Sequence, residues 1–395
     1  MKAKTLLVFF FLLLFVSGCW SSHEINTLAI SIATGLDRTE KGYLISQQVL
    51  NPKAISIRFE RNEAPVVLFS QEGENLFSAV RKITLESPRK IYNSHISIIV
   101  FGEDMAKSGL KDALDFFIRD YEYRTDFYFI IAKGATANEV LKILTPLESI
   151  PGMKLHQSLD ISENHWGLTN STNIIELVQL ILADGQNPVL PGIEITSRGQ
   201  DSDNLEALKA VDVKKRLQYT SMGVFHEDKL IGWLSENEAK GYNYITGTVK
   251  NNIEYAYYNE KNQITFEVIR SDSKIIASCQ DEKPSILVQI KAVANIAAID
   301  GVMDISADEN KKFIARLLEK RLNNLCGSAL QKAQGTLCSD IFGFGEAIHR
   351  KYPELWKELK SDWSRGFPDL PVDFEITVEI NQLGQIKKPM FRKEE

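Results

Sequence analysis

The residues best placed for covalent chemistry stand at the start of the chain. Lys2 and Lys4 precede an apolar run from Leu6 to Val16, and Val16-Ser17-Gly18-Cys19 follows. A short positive region, an apolar core and small residues before a cut site make the pattern of a secretory signal. Cleavage after residue 18 puts Cys19, a thiol, where the mature chain begins. The apolar run has 11 residues, roughly 16 Å as a helix against a hydrocarbon core of about 30 Å, so it is too short to span a bilayer. An ordinary signal peptide with a chance cysteine is the remaining rival reading.

Cys279, Cys326 and Cys338 are the other thiols. Being three, they cannot all pair within one chain. Cys326 and Cys338 lie 12 residues apart in a stretch that reads as one helix. That is a rise of about 18 Å, beyond the roughly 4.4–6.8 Å between Cα atoms that a disulfide bridges. They could meet only if Gly327 or Gly335 breaks the helix, so the expectation is three free thiols, mostly buried. No Cys-x-x-Cys is present and the six His residues are scattered, so no metal-ligand spacing emerges.

An enzyme should show a nucleophile, a base and a stabilising group. The chain has no Gly-x-Ser-x-Gly, no His-Glu-x-x-His and no phosphate-cradling glycine loop. Phe342-Gly-Phe-Gly345 lacks the Lys-Ser/Thr of a P-loop and reads as a helix–helix joint where backbone passes close. Arg119-Asp-Tyr-Glu-Tyr-Arg124 is the densest polar cluster. It reads as helix-end charges and ion pairs that fix the next strand, rather than as a ligand site. Tyr92, Ser94 and His95 precede a buried strand, and His95 reads as structural. Trp356 and Trp363 share a helical face and read as core. No catalytic, cofactor-binding or metal-binding residue is therefore assigned.

The elements that carry these residues begin with strands at Leu28–Asp37 and Tyr43–Val49, joined as a hairpin across Arg38–Gly42. Short strands at Ile55–Phe59 and Val66–Phe69 follow. Asn75–Leu85 has Leu76, Phe77, Val80 and Ile83 at helical spacing. His95–Gly102 and Asp126–Ala132 are apolar strands buried on both faces. Between them Leu110–Arg119 is an amphipathic helix, with Leu110, Leu114, Phe117 and Ile118 on one side, so 95–132 predicts a βαβ crossover. Asn138–Leu144 and Asn173–Ala183 read as helices. Pro188 and Pro191 break the chain, Gln200–Asp203 is polar, and the main boundary falls near 200–215. Met222–Leu234 reads as a hairpin. Ser235 and Glu238 form a capping box for a short helix. Strands follow at 264–270, 273–280 and 285–299. Ser306 to about Gln334 is the longest helix, with Phe313, Leu317, Leu318, Leu322 and Leu325 on one face. Asp340–Tyr352 is a helix limited by Pro353, Val372–Ile380 a last strand and Lys387–Glu395 a polar tail.

Hydrophobic residues are 44% and charged residues 25% of the 395-residue chain, which fits a folded globular protein. The formal charge of −6 becomes −8 without Lys2 and Lys4. An acidic surface argues against nucleic acid and against holding anionic lipid by charge. Attachment to a membrane must come from a lipid or a protein partner.

Val16-Ser17-Gly18-Cys19 resembles a bacterial lipobox, in which Cys19 would carry a thioether-linked diacylglycerol; two acyl chains anchor a protein stably where one does not. The whole chain resembles the Ger(x)C family, the lipoprotein C subunits of spore germinant receptors. The likeness runs through Gly18-Cys19-Trp20, Glu24-Ile25-Asn26, Arg89-Lys-Ile-Tyr-Asn-Ser-His95, Gly102-Glu103, Ala106, Gly109, Asp115-Phe116-Phe117, Arg119-Asp120 and Arg124. It continues at Gly223-Val-Phe225, Lys229–Leu234, Asp340-Ile-Phe-Gly-Phe-Gly345, Pro353, Trp356, Trp363 and Phe367, and is thin between about 150 and 215. Family members tend to carry a glycine and an acidic residue where this chain has Val293–Ala298.

The resemblance implies an α+β fold of mixed β-sheets packed with helices, in three domains, with a long C-terminal helix. The segments are a signal peptide at 1–18, an N-terminal α/β domain at 19–205, a small middle domain at 206–280 and a C-terminal α/β domain at 281–388. It implies a lipid anchor at Cys19, a place on the outer face of the spore inner membrane, and a complex with the membrane-bearing A and B subunits. It implies no enzymatic activity and no cofactor. The alternative is a solute-binding lipoprotein that delivers a small nutrient to a transporter, although such proteins usually have two lobes of repeated βα units. A cell-wall-acting lipoprotein enzyme is a third reading. It requires a cleft with carboxylates of separated pKa, and no sequence pair points to one.

Overall fold

The computed structural model describes residues 27–55, 63–197, 215–301, 303 and 308–381. The signal segment, Cys19, nearly all of the expected strand Ile55–Phe59, the stretch Gln200–Asp203 and the tail Lys387–Glu395 lie outside the described residues. Two mixed sheets with helices packed on them form an α+β fold.

The first sheet contains β1 (Leu28–Thr39), β2 (Gly42–Leu50), β3 (Val66–Gly73), β4 (Lys90–Tyr92), β5 (Ile98–Gly102), β6 (Tyr128–Ala132), β7 (Val189–Ser197), β8 (Lys215–His226) and β9 (Lys229–Leu234). Its order is β3-β2-β1-β5-β6-β7-β8-β9, with β4 beside the amino end of β1. Strands β1, β5, β6 and β7 run parallel. The βαβ crossover expected over 95–132 is present. A parallel strand covered on both faces needs apolar side chains at every position, and β5 is buried throughout. Ile98 and Val100 face one core cluster, Ile99 and Phe101 the other.

One face of this sheet carries α1 (Leu76–Ile83), α2 (Glu103–Ser108), α3 (Lys111–Arg119) and α6 (Ile174–Leu182); the other carries α4 (Ala137–Lys142) and α5 (Pro151–His165). Asn75, Thr136 and Asn173 cap α1, α4 and α6 with side-chain oxygens that accept backbone N–H bonds. Two expected apolar faces are turned by one position. Ala79 replaces Phe77 in the buried stripe of α1, and Ala113 replaces Ile118 in that of α3, leaving Phe77 and Ile118 more than half exposed. Pro191 does not break the chain but lies within β7. That strand meets β6 only at Gly192 and Ile193, so the missing N–H at 191 costs no bond there.

The hairpin β8–β9 closes at His226 and Lys229, and β8 pairs antiparallel with β7. Residues 215–234 thus complete the first sheet, across the boundary expected near 205. α7 (Glu236–Thr246) leads to the second sheet, β10 (Asn252–Tyr257), β11 (Gln263–Gln280), β12 (Lys283–Ile299) and β13 (Val372–Ile380), in the order β10-β11-β12-β13. β11 is one strand, not the two expected at 264–270 and 273–280. The polar run Arg270–Lys274 stays paired to Gln289–Val293 because a register shift near Val268 absorbs the irregularity.

α8 (Asp308–Gln331) crosses from β12 to the parallel strand β13. Its buried stripe is Ile314, Leu318, Leu322, Leu325, Cys326 and Ala329, so Phe313 lies beside the core rather than in it. A π-helical turn, Lys332–Leu337, ends it. α9 (Phe344–Lys351) and α10 (Pro353–Leu359) follow, with Pro353 opening α10 as it limits α9. One core cluster runs continuously from α4 and α5 through the second sheet to α8 and Trp356. Among the described residues no helix is long and apolar enough to cross a membrane.

Candidate functional site

The first sheet makes a crevice where β5 and β6 end. After Gly102 the chain turns into α2, whose Met105 and Ala106 join the cluster on one face; after Ala132 it enters α4, whose Ala137, Val140 and Leu141 join the cluster on the other. Parallel strands whose following helices leave to opposite faces hold open a crevice at their carboxyl ends, the usual place for ligands in open α/β sheets. Here it is a cleft of about 600 Å³ lined by Glu103, Lys133, Glu139, Glu194, Lys215 and Trp233. A second hollow of about 360 Å³ adjoins it along Glu103, Gly134, Ala135 and Glu139.

The walls are fixed by hydrogen bonds. The Gly134 N–H donates to Glu103 Oε2 at 2.5 Å, and Lys107 Nζ lies 3.0 Å from Glu103 Oε1. Burial works to raise the Glu103 pKa, but these donors outweigh it and hold the carboxyl below its ordinary value. Asp37, at the end of β1, accepts from the N–H groups of Ala137 at 2.7 Å and Asn138 at 3.0 Å, the first turn of α4. Burial outweighs those bonds and raises its pKa. A Cβ on Gly102 would fall 2.0 Å from Asp37 Oδ1, so only glycine lets that carboxylate reach α4. Thr136 N–H donates to Glu139 at 2.8 Å and lowers its pKa. Lys133 Nζ is 2.7 Å from Glu194 Oε1 and 5.4 Å from the centre of the Trp233 ring. The cleft therefore presents three carboxylates and two ammonium groups beside an aromatic face. Among the described residues no group of three or more His, Cys, Asp or Glu is placed to hold a metal.

The segment Asp340–Gly345 is a separate knot. The Asp340 carboxylate is buried and accepts five N–H bonds. Oδ1 takes those of Phe342, Gly343 and Phe344 at 3.0–3.2 Å. Oδ2 takes Gly345 N–H at 2.8 Å and Trp363 Nε1–H at 3.1 Å. Burial nonetheless pushes its pKa up to about 6. Backbone does pass close here, but the neighbour of Gly345 is the loop at Gly185 rather than another helix: a Cβ on Gly345 would lie 2.7 Å from the Gly185 Cα and 2.6 Å from the Trp356 ring. Trp356 and Trp363 are buried and meet edge to face at 5.1 Å between ring centres.

The Arg119–Arg124 cluster is tied by local ion pairs: Arg119 with Asp115, Glu122 with Lys90, and Arg124 with Asp126. His95 is exposed and packs at 5.7 Å against Tyr92. None of these residues reaches the cleft. Cys326 is buried as expected, Cys279 half-buried, and Cys338 exposed. The cleft residues escape sequence reading because they come from five distant segments; the one local signal is a Gly-Glu or Lys-Gly pair just after an apolar strand.

A nine-stranded mixed sheet and a four-stranded mixed sheet whose last two strands are joined through a long helix define an α+β protein, and the same fold occurs in a solved structure. The crystal structure of the GerBC protein matches with a TM-score of 0.54 at 20% identity, covering 88% of this chain and 96% of that one. Two family models match in succession, the spore germination protein N-terminal domain over residues 21–195 and the spore germination B3/GerAC-like C-terminal region over 220–384. The chain is 29% identical to spore germination protein KC of Bacillus subtilis, covering 99% of this chain and 98% of that protein. It is 24% identical to spore germination protein B3 of the same organism over 96% and 98%. The chain belongs to the Ger(x)C family of spore germination proteins.

Proposed function

We propose that this protein is the lipid-anchored C subunit of a nutrient germinant receptor. It is held at Cys19 on the outer face of the spore inner membrane and supports assembly with the membrane-bearing A and B subunits. Its role is non-enzymatic. The observation that carries the reading is the ordered match of both family regions, 21–195 and 220–384, with relatives that align over nearly their whole length. The lipobox-like Val16–Cys19 supplies the anchor. A solute-binding lipoprotein of two repeated βα lobes is poorly supported by one sheet of nine strands and another of four.

The deciding experiment is an affinity pull-down of the tagged protein from detergent-solubilised spore inner membrane, read by mass spectrometry. Recovery of a permease-like germination subunit and its large membrane partner supports the reading; recovery of transporter subunits overturns it. Cys19→Ala tests the anchor. The variant should fold normally and leave the membrane fraction in a strain lacking the A and B subunits, and its retention there would count against lipidation.

A further inference from the structure

The end of the first sheet opposite the cleft carries a surface that no fold requirement explains. Around the amino ends of β1, β4, β5 and β6 lie the loop after α1, the carboxyl end of α3 and the start of α6. Lys90 pairs with Leu28 on β1, Lys90 Nζ meets Glu122 at 2.6 Å, Ser94 Oγ donates to the Glu122 carbonyl, and Asn173 bridges to Tyr128. This end exposes Leu85 (84%), Tyr121 (90%), Ile118 (57%) and Ile175 (54%). They are four of the fifteen large apolar side chains exposed among the described residues, and grouping at one end is what a contact surface requires. Arg89, Lys90, Arg119 and Arg124 are exposed among them.

We infer that this end is the face laid against the lipid bilayer, with Leu85, Ile118, Tyr121 and Ile175 in the interface and the guanidinium and ammonium groups at headgroup level. The inference rests on the Cys19 anchor of the proposed function and adds an orientation to it. Seven residues lie between Cys19 and Thr27, so the eight steps reach at most about 28 Å. β1 runs 12 residues away from that point, roughly 36–40 Å at strand rise. A tether of that length is too short to stand β1 upright with its carboxyl end, and the cleft beside it, on the membrane. The amino end is in reach, and it bears the exposed aliphatic and aromatic side chains that settle at a membrane interface. Its charges are nearly balanced, since Lys90–Glu122, Arg119–Asp115 and Arg124–Asp126 are paired. The surface therefore suits a zwitterionic bilayer and needs no anionic lipid. The cleft then opens away from the membrane.

The test uses the mature chain with Cys19 replaced by a hexahistidine tag, tethered to phosphatidylcholine vesicles that contain a nickel-chelating lipid. An artificial tether makes the outcome independent of whether Cys19 is acylated in the cell. In a Cys279→Ser, Cys338→Ser background, an environment-sensitive fluorophore is placed at Tyr121→Cys or, as control, at Lys41→Cys in the exposed β1–β2 turn. Tethering should blue-shift and brighten the probe at 121, make it quenchable by lipid-borne quenchers, and leave the probe at 41 unchanged; added salt should alter this little. Water-like emission at both positions would overturn the inference. So would a shift at 121 that appears only with the A and B subunits present, which would make this end a protein interface. A probe at Leu85→Cys repeats the measurement should labelling at 121 disturb the fold.

Discussion

The Trp363 indole N–H donates to the same Asp340 oxygen, Oδ2, that accepts the Gly345 N–H, so one buried carboxylate ties the start of α9 to the turn after α10. Burial raises its pKa from 3.8 to about 6. A group whose folded value lies above its unfolded value stabilises fully below the unfolded pKa and loses that contribution as pH rises through the folded one. Stability should therefore fall by up to about 3 kcal/mol between pH 4 and pH 6–7, at about 1.4 kcal/mol per pKa unit. In Asp340→Asn this component of the slope should vanish. The variant should also be less stable at acid pH by about 2 kcal/mol, because its amide NH2 would face other N–H donors. Denaturant titrations across this range check both points, and parallel slopes in the two proteins would sink the assignment.

Gly345 and Gly366 stand 21 positions apart in the same subdomain and should respond oppositely to a methyl group. A Cβ at 345 would strike the Gly185 backbone and the Trp356 ring, whereas at 366 it meets nothing within 4 Å. Gly345→Ala should cost about 2–3 kcal/mol through overpacking against backbone that cannot retreat. Gly366→Ala should be neutral or stabilising by about 0.5 kcal/mol through the unfolded chain. Thermal unfolding of the two variants side by side measures the contrast.

Arg321 holds the buried carboxylate of Glu254, Nε to Oε2 at 2.9 Å, while its other arm donates to Asn237. Burial raises the Glu254 pKa despite Lys240 and Arg321 nearby. Arg321→Ala should cost about 3–5 kcal/mol near neutral pH, because it leaves a buried charge short of a partner. The loss should shrink at pH 4, where Glu254 can take up a proton. An equal loss at both pH values would mean that packing of the arginine stem, not charge, is what the variant removes.

The strands that build the centre of the first sheet were legible because burial on both faces writes one unbroken apolar run, as in Ile98–Phe101 and Phe129–Ala132. β7 was hidden by Pro188 and Pro191, whose local meaning is a break until the sheet shows where no N–H is required. α5 was missed because its buried face, Gly152, Leu155, Leu159 and Glu163, carries a glycine and a charge. That charge is answered by the Ser171 N–H at 2.9 Å and by Lys250 at 2.7 Å, the latter far along the chain. Asp340–Gly345 was legible as a motif, yet nothing in six residues discloses the Trp363 donor or the Gly185 contact. The cleft was least legible, since Glu103, Lys133, Glu194 and Trp233 acquire a common purpose only when the parallel strands align their ends.

The three thiols of the folded region offer a test of how α8 ends. Cys326 lies on the buried stripe of the helix, with its sulfur 4.0 Å from the Gly241 carbonyl oxygen of α7, and burial pushes its pKa well up. Twelve residues on, the π-helical turn has run out and Cys338 takes a left-handed φ of 48° with an exposed side chain. Cys279 is half-buried on β11. Thiolate is the reactive form, so access and pKa together set alkylation order. Iodoacetamide near neutral pH should modify Cys338 first, Cys279 more slowly and Cys326 only once denaturant opens the α7–α8 contact. Mass spectrometry of peptides over a time course reads the order directly. If Cys326 reacted as fast as Cys338 in the native protein, α7 would not be seated on α8 as described. If instead Cys338 stayed unreactive, α8 would continue through Leu337 and turn that residue inward.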